Sequence, residues 1–259
     1  MHMVQIPMKT AGSLNRHTVL SINEKRVQRP VTSRTILAVN TNRFHADTLK
    51  TASHANAAGQ ASRVLQETLP QKTIPRLIHP MQKGQKISLE SGGTLSKIKA
   101  CLGWNVTNNS CDVDVSAFLL NANGRVLGDS WFVFYGQEQS PDNSTVFSVD
   151  SGADREMISI DLQKLNAEVH KIVFVLTINE ALEKHLNFSM LKDAYIRIID
   201  QASNQELAGF QMDEYYSNVT SMMIGEIYKH NHVWKFHAVG NGVAKDLAGL
   251  CELYGVQVI

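Results

Sequence analysis

Short runs rich in β-branched and aromatic residues follow one another from Met81 to the end of the chain. Turn signals separate these runs, such as Asn121–Gly124 and Ser140–Asn143, the second with proline at its second position. The runs of strand length are Trp131–Tyr135, Met157–Asp161, Lys171–Ile178, Ala194–Asp200, Glu206–Met212, Ser221–Lys229 and Val233–Val239. So many short strands predict an all-β protein, and we expect a β-sandwich domain over residues 81–259.

Helical periodicity is limited to short stretches of the chain. One lies near the C-terminus, where apolar residues recur at helical spacing and Gly255 stands where glycine often ends a helix. The apolar residues of this stretch are Val243, Leu247, Leu250, Cys251 and Tyr254. A second short helix is predicted to open at Asn187. The sequence therefore predicts a β-sandwich with a few short helices.

The first 80 residues differ from the rest in charge. They hold eleven Lys or Arg and three acidic residues, a net charge of +8, whereas residues 81–259 hold fourteen and twenty-one, a net charge of −7. Their apolar residues are scattered apart from one candidate helix over 47–69, and prolines punctuate a linker up to Pro80. We predict a loosely structured basic extension over 1–80. It is either a solvated tail or an arm that contacts nucleic acid or acidic lipid.

The cysteines and the absence of targeting segments indicate a cytoplasmic protein. Cys101, Cys111 and Cys251 form no Cys-x-x-Cys pair and leave an odd count, as is typical of reduced thiols in the cytosol. No apolar run approaches the roughly 20 residues that span a bilayer, so no transmembrane segment is expected. The N-terminus lacks the apolar core of a signal peptide, although it is Arg-rich and poor in acids, as organelle transit peptides are.

Two aspartates stand at the head of a predicted strand over residues 111–120. Because a strand has a period of two, Asp112, Asp114 and Ser116 share one face, and the valines between them share the other. Asp is depleted in strands, and like charges at neighbouring positions on one face repel. The pair indicates a bound cation, the alternative being a solvated strand end.

Further acidic residues follow in loops with small residues between them. Calcium takes six to eight hard oxygen ligands and tolerates irregular geometry, which suits carboxylates on such loops. The candidate calcium ligands are Asp112, Asp114, Asp129, Asp150, Asp154 and Glu156. No Gly-x-Ser-x-Gly, His-Glu-x-x-His or Walker motif appears in the sequence. We therefore predict no catalytic residue and no cofactor other than calcium.

A series of motifs in residues 83–256 follows a familiar order. They are Leu-Gly-Trp at 102–104, Asp-Val-Asp-Val-Ser-Ala-Phe-Leu-Leu at 112–120, Trp-Phe-Val-Phe-Tyr at 131–135, Ser-Pro-Asp at 140–142, Ile-Val-Phe-Val at 172–175, Ala-Tyr-Ile-Arg at 194–197, Gly-Glu-Ile-Tyr-Lys-His-Asn at 225–231, Trp-Lys-Phe at 234–236 and Ala-Val-Gly at 238–240. In this order they resemble the TerD family, the tellurium-resistance and general stress proteins of bacteria.

The resemblance implies a β-sandwich that binds calcium through acidic loops. It also implies a bacterial cytosolic protein that acts in tellurite or other chemical stress as a non-enzymatic interaction module. The implied partners are other stress and tellurite-resistance proteins, some of them membrane-associated. We therefore expect calcium to order the 148–156 loop and to shape a surface for those partners.

The chain departs from the family pattern at the 150–156 segment, which is shorter than the usual Gly/Asp-rich loop. Arg155 stands where an acid is usual, and its charge is placed to replace the ion by pairing with Asp112 or Asp114. Trp131 stands where many members have a second aspartate. A metal-free interaction module is therefore one alternative, and a nucleotide-binding protein or enzyme with an unrecognised cleft is another.

Overall fold

The computed structural model describes residues 71–90, 95–150 and 152–257 of the chain. Within these residues two six-stranded sheets pack face to face around a shared apolar core. The strands are β1 Pro80–Met81, β2 Lys86–Ser88, β3 Lys97–Val106, β4 Val113–Leu120, β5 Phe132–Phe134, β6 Thr145–Val149, β7 Glu156–Asp161, β8 Lys171–Ile178, β9 Leu191–Asp200, β10 Glu206–Gln211, β11 Ser221–His230 and β12 Val233–Val243. The prediction of an all-β sandwich is confirmed.

The first sheet has the strand order β1-β10-β9-β3-β7-β6, and the second has the order β2-β12-β11-β8-β4-β5. Neighbouring strands are antiparallel, apart from β1, which runs parallel to β10. In the first sheet β3 lies between β9 and β7, with Gly103 opposite Tyr195 and Leu102 opposite Glu156. This register brings side chains of β9 close to the loop that joins β6 to β7.

The predicted strand Lys171–Ile178 matches β8 at both ends. This strand is apolar throughout because both of its faces are covered. Ile172 and Phe174 belong to the core between the sheets, whereas Val173 and Val175 belong to a second apolar cluster on the opposite face. The structure extends β12 beyond its predicted end at Val239, because its pairing with β11 continues to Val243.

Strand β4 alternates between the same two apolar layers. Val113 and Val115 point into the core between the sheets, and Phe118 and Leu120 point into the second cluster. Asp114 therefore lies on the face of β4 that carries Phe118 and Leu120, as a period of two requires. It is only 6% exposed, so this aspartate is not a solvated strand end.

One α-helix, α1 at Leu247–Tyr254, covers the second cluster within the described part of the chain. The Asp246 side chain caps its start by accepting a hydrogen bond from the Gly249 amide. Gly255 ends the helix with φ of 85°, a left-handed conformation that glycine adopts without strain. A short 3₁₀ helix at Phe188–Met190 follows Asn187, as predicted, and that side chain accepts from the Ser189 amide.

Residues 1–70 lie outside the described residues, and with them the predicted helix over 47–69 and most of the predicted basic extension. The last part of that extension, residues 71–79, runs along the first sheet before β1 begins at Pro80. In the described ranges, no helix combines the length and the apolar character that crossing a bilayer requires.

Candidate functional site

The loop between β6 and β7, residues 150–155, holds two of the predicted site residues. The Asp150 amide donates to the Arg155 carbonyl at 2.9 Å, which closes the loop at its base. One carboxylate oxygen of Asp150 accepts a hydrogen bond from the Asp154 amide at 3.0 Å. The loop is also tied to β3, because the Arg155 amide donates to the Leu102 carbonyl at 2.8 Å. We call the described residues of this loop, 150 and 152–155, the acidic loop.

Asp154 is the buried centre of the acidic loop, with 5% of its surface exposed. Arg197 of β9 binds it through both carboxylate oxygens, with Nη2 at 2.7 Å from Oδ2 and Nε at 3.3 Å from Oδ1. The Tyr195 hydroxyl donates to Oδ1 at 2.9 Å. Two-point contact between a guanidinium and a carboxylate is strong and directional. The acidic loop is therefore fastened to β9 by a neutralising cation.

A glycine in β3 makes this contact between β9 and the acidic loop possible. A Cβ atom at Gly103 would lie 2.4 Å from the Tyr195 ring and hydroxyl, closer than real contacts allow. Because Gly103 has no side chain, Tyr195 can lie across β3 and reach Asp154. Burial and the neighbouring Asp154 raise the pKa of Tyr195 well above its usual value, so the hydroxyl stays protonated and donates.

Arg197 also faces a second buried carboxylate, that of Glu206 in β10. The distance from Arg197 Nη1 to Glu206 Oε2 is 3.7 Å, and the Glu206 side chain is 1% exposed. The other oxygen of Glu206 accepts from the backbone amides of Ile78 and His79 at 2.7 and 2.9 Å. Burial is the largest single influence on the pKa of Arg197 and lowers it, but the hydrogen bond to Asp154 and the charge of Asp154, with smaller effects of Cys101 and Tyr195, together raise the pKa of the guanidinium.

Lys72 approaches the acidic loop from the segment that precedes β1. Its Nζ donates to the carbonyl oxygen of Gly152 at 3.0 Å and also to that of Asp154. The Asn105 side chain holds the Lys72 backbone at both groups, accepting from its amide at 2.9 Å and donating to its carbonyl at 3.0 Å. Two cations from distant parts of the chain, Lys72 and Arg197, therefore contact the acidic loop.

The side chain of Arg155 reaches β3. Its Nε donates to the Trp104 carbonyl at 2.6 Å, and its Nη2 lies 3.4 Å from Oδ1 of Asn105. The guanidinium also lies over the Trp104 ring, 5.7 Å from the ring centroid. These contacts anchor Arg155, the last residue of the acidic loop, to β3. The sequence had predicted a different role for Arg155, pairing with Asp112 or Asp114.

Glu156 links the two sheets at the end of the sandwich where the acidic loop lies. It opens β7, is 5% exposed and accepts a hydrogen bond from the Val115 amide of β4 through Oε2 at 2.7 Å. This places Glu156 against the strand that carries Asp114, one residue before the amide that it binds. Asp112 is half-buried just before β4, and its carbonyl accepts from the Asn179 amide at 2.8 Å.

Asp129 stands apart from the other predicted ligands. It begins a 3₁₀ turn before β5, and its Oδ1 accepts from the Gln257 amide at 2.8 Å, beyond the end of α1. The six predicted ligands thus fall into three groups. Asp150 and Asp154 form the acidic loop, Asp112, Asp114 and Glu156 lie around the start of β4, and Asp129 binds the C-terminal segment.

These contacts do not fit one calcium ion bound by all six acids. Calcium needs six to eight oxygen ligands around one point, but both oxygens of Asp154 already face Arg197 and Tyr195. In the ranges that the structure describes, no three His, Cys, Asp or Glu side chains are grouped to hold a metal. Calcium binding therefore stays a prediction. The positive charges that contact this loop in the structure are the side chains of Lys72 and Arg197.

The three cysteines are unsuited to thiolate chemistry in the folded protein. All three are buried and free of disulfides. Burial raises the pKa of Cys101 and Cys251 to about 12 and that of Cys111 to about 11. The thiolate is the reactive form of cysteine, so these groups stay protonated and unreactive at neutral pH.

Sequence reasoning missed Arg197, Tyr195 and Lys72. The signal for Arg197 was its position among the apolar residues of 194–199 within β9, since a charged residue in such a run needs a partner. No pattern in the sequence pointed to Lys72, whose partners Gly152 and Asp154 are 80 and 82 residues away.

The chain is similar to bacterial proteins that are named for tellurium resistance and general stress. Residues 77–254 match the model of the TerD domain. The chain is 38% identical over 188 residues to "Tellurium resistance protein TerD" of Serratia marcescens, covering 66% of this chain and 98% of that protein. It is 36% identical over 188 residues to "General stress protein 16U" of Bacillus subtilis (strain 168), covering 69% of this chain and 97% of that protein.

Proposed function

Because this chain belongs to the TerD family, we propose that it is a cytoplasmic stress-response protein of the tellurium-resistance type that binds other proteins rather than catalysing a reaction. The names of its relatives, which refer to tellurium resistance and general stress, support the stress role. The buried, protonated cysteines argue against tellurite reduction by its own thiols. The proposed partners are other proteins of the same response, including membrane-associated ones.

The observation that carries this proposal is the buried contact of Arg197 and Tyr195 with Asp154. It fixes the acidic loop on a rigid sandwich, and loops held by a rigid scaffold are where proteins most often bind partners. Charges of the chain itself contact the loop, which supports a binding surface that needs no metal ion.

A calcium-modulated surface is the second candidate function, and the surroundings of Asp114 favour it. Asp114 and Glu156 are both buried, and Glu156 accepts from the amide next to Asp114. A cation that approached both carboxylates would favour their charged forms, which burial disfavours. Calcium would have to draw Asp112, Asp114 and Glu156 together on binding, since no three acidic side chains of the described residues are grouped around one point, and Asp154 is already bound to Arg197. At calcium a hundredfold above its dissociation constant, stability would rise by about 2.7 kcal/mol.

Calorimetric melting of the full chain in calcium and in a chelator separates the two candidates. The metal-independent module predicts the same melting temperature in both solutions, and the calcium-modulated module predicts a higher one in calcium. A magnesium solution of equal ionic strength is the control for general screening.

The non-enzymatic part of the proposal has its own test. Purified protein is incubated with tellurite and a thiol or nicotinamide reductant, and the tellurite that remains is measured. We expect the same slow loss as with reductant alone, while expression of the protein restores growth on tellurite in a bacterium that lacks its own family member. Repeated turnover of tellurite by the purified protein would show that it is an enzyme.

A further inference from the structure

Residues 71–79, which we call the strap, precede β1 and are hydrogen-bonded to the first sheet at both ends of the strap. At the start, the Gln71 side chain donates to the Val106 carbonyl at 3.0 Å and Lys72 pairs with Asn105. At the end, Glu206 accepts from two strap amides, and the His79 carbonyl accepts from the Gly209 amide at 2.9 Å. The strap therefore spans the sheet from β3 to β10.

Most of the strap precedes the part of the chain that matches the TerD domain, which begins at residue 77. Lys72 is therefore supplied from outside the matched domain, and it reaches the acidic loop inside it. The contact is built rather than incidental, since Asn105 is only 4% exposed and uses both ends of its amide on the Lys72 backbone. Asn105 is itself fixed by a hydrogen bond to Asp193 at 3.0 Å.

The Lys72 ammonium binds oxygens of the kind that a hard metal ion binds. Backbone carbonyls on acidic loops are typical ligands of calcium, and the carbonyls of Gly152 and Asp154 here accept from Nζ. A divalent cation at these oxygens would lie against the ammonium, and two positive charges that close repel each other. Burial and the charge of Arg155 lower the pKa of Lys72, and the negative charges of Asp150 and Asp154 oppose that lowering.

We propose that Lys72 takes the place of a divalent cation on the acidic loop, so that the strap both orders the loop and excludes such an ion from it. The inference rests on the proposed metal-independent binding surface, and it names the Lys72 ammonium as the group that makes a metal ion unnecessary there. It also gives the N-terminal extension a role, because any event that lifts the strap exposes the loop carbonyls to divalent cations. The state of the loop is thereby coupled to the segment before it.

The test compares the full chain with its Lys72→Met variant, each melted in calcium in the millimolar range and in a chelator. Methionine keeps most of the length of the side chain but removes the charge. We expect the variant to melt about 3 °C below wild type in chelator, the shift that a loss of about 1 kcal/mol gives. We expect calcium to recover most of that loss in the variant and to change wild type little.

Two further variants serve as controls. Lys72→Arg keeps a cation near the carbonyls and is expected to behave as wild type in both solutions. Lys83→Met removes a lysine that pairs with Glu214 at 3.1 Å on the exposed surface, and it is expected to show no response to calcium. Amide hydrogen exchange at residues 152–155 gives a local measure, and faster exchange is expected only in Lys72→Met without calcium.

The measured quantity is the difference between the two solutions, so general damage to the fold does not imitate the expected result. The proposal is overturned if Lys72→Met is equally destabilised in calcium and in chelator, or if it melts as wild type does. A calcium response of wild type as large as that of the variant also overturns it and favours the calcium-modulated surface. Turnover of tellurite by the purified protein would refute the proposed non-enzymatic function. It would not change the result of the melting comparison between wild type and Lys72→Met.

Discussion

Two acid-bearing turns flank β6, and they hold their carboxylates in different ways. In the turn before β6, Asp142 accepts from the Ser140 hydroxyl at 2.6 Å, from the Ser144 hydroxyl at 2.7 Å and from the Ser144 amide at 3.0 Å. Its other oxygen accepts from the Asn166 amide at 2.8 Å. In the acidic loop after β6, Asp154 depends on Arg197 and Tyr195, more than 40 residues away in sequence.

The difference shows two solutions to the same electrostatic problem. Neutral donors satisfy Asp142, three from its own turn and one from the Asn166 amide, so that turn needs no charge from the rest of the fold. Asp154 is buried and needs a charge, and the fold delivers one from β9. A turn of the first kind behaves as a local unit, whereas the acidic loop is coupled to β9, β10 and the strap, and so can respond to events there.

The largest expected effect is that of Arg197→Met. The substitution leaves Asp154 and Glu206 buried without their shared cation, and breaking a buried ion pair costs about 3–5 kcal/mol. Urea unfolding measures the loss.

A surface ion pair provides the control for Arg197→Met. Lys97 lies 3.5 Å from Asp161 and its side chain is 51% exposed, so Lys97→Met should cost no more than about 1 kcal/mol. Equal losses from the two variants would mean that the contact with Asp154 is worth no more than an exposed pair. The contrast between the two turns would then fail.

Asp142→Asn is expected to cost less, about 1–2 kcal/mol, because the donors it loses are neutral. Burial alone would raise the pKa of Asp142, but hydrogen bonds from Ser140, Ser144 and Asn166 hold it below its usual value of 3.8. Its contribution is therefore complete above that pH and is lost as the pH falls through the lower folded value. Unfolding curves of wild type and variant should converge in that acidic range.

Asp200→Asn is the matched control for Asp142→Asn. Asp200 also accepts from local donors, the Ser203 hydroxyl at 2.6 Å and the Ala202 amide at 3.0 Å, but it is the last residue of β9, next to the exposed turn at 201–205. We expect Asp200→Asn also to lower the free energy of unfolding, but by less than Asp142→Asn does. A loss at Asp142 that persists unchanged in acid would show that its charge is not what stabilises the turn.

The smallest expected effect is that of Tyr195→Phe, about 1 kcal/mol for one hydrogen bond to a buried acceptor. Tyr215→Phe is its control, since that hydroxyl binds only backbone groups, accepting from the Ala194 amide and donating to the Met212 carbonyl. The two losses should be similar. Hydrogen exchange in the acidic loop should rise only for Tyr195→Phe, and a rise in both would indicate a general loosening of the sheet.

Elements with uninterrupted patterns were predictable from the sequence. Strand β8 and the end of α1 at Gly255 agree with expectation, because continuous apolar character and a glycine stop are local signals. Strand β3 carries Gly103 and Asn105 in its second half, which weaken a strand pattern. Gly103 makes room for Tyr195, and Asn105 binds the backbone of Lys72. The sequence of the strand alone therefore does not explain why these two residues stand there.

The candidate site was predictable only in its acidic half. The sequence identified Asp154 and Glu156 as neighbours in one segment, and both are buried at the same end of the sandwich. It did not identify the partners of Asp154. Arg155 was expected to act on the acids of the site, and its hydrogen bonds to Trp104 and Asn105 on β3 had no signal in the sequence. Because successive side chains of an extended chain point to opposite sides, the position of Arg155 between Asp154 and Glu156 does not by itself decide which groups it contacts.

The sequence by itself determined the family, the sandwich and the positions of the acids, because turn residues, strand periodicity and motif order are written along the chain. Only the tertiary structure decided what neutralises the acidic loop. Coulomb attraction acts through space and depends on distance and burial rather than on position in the sequence. The packing of β9 and the strap against β3 brings Arg197 and Lys72 to within hydrogen-bond distance of the acidic loop.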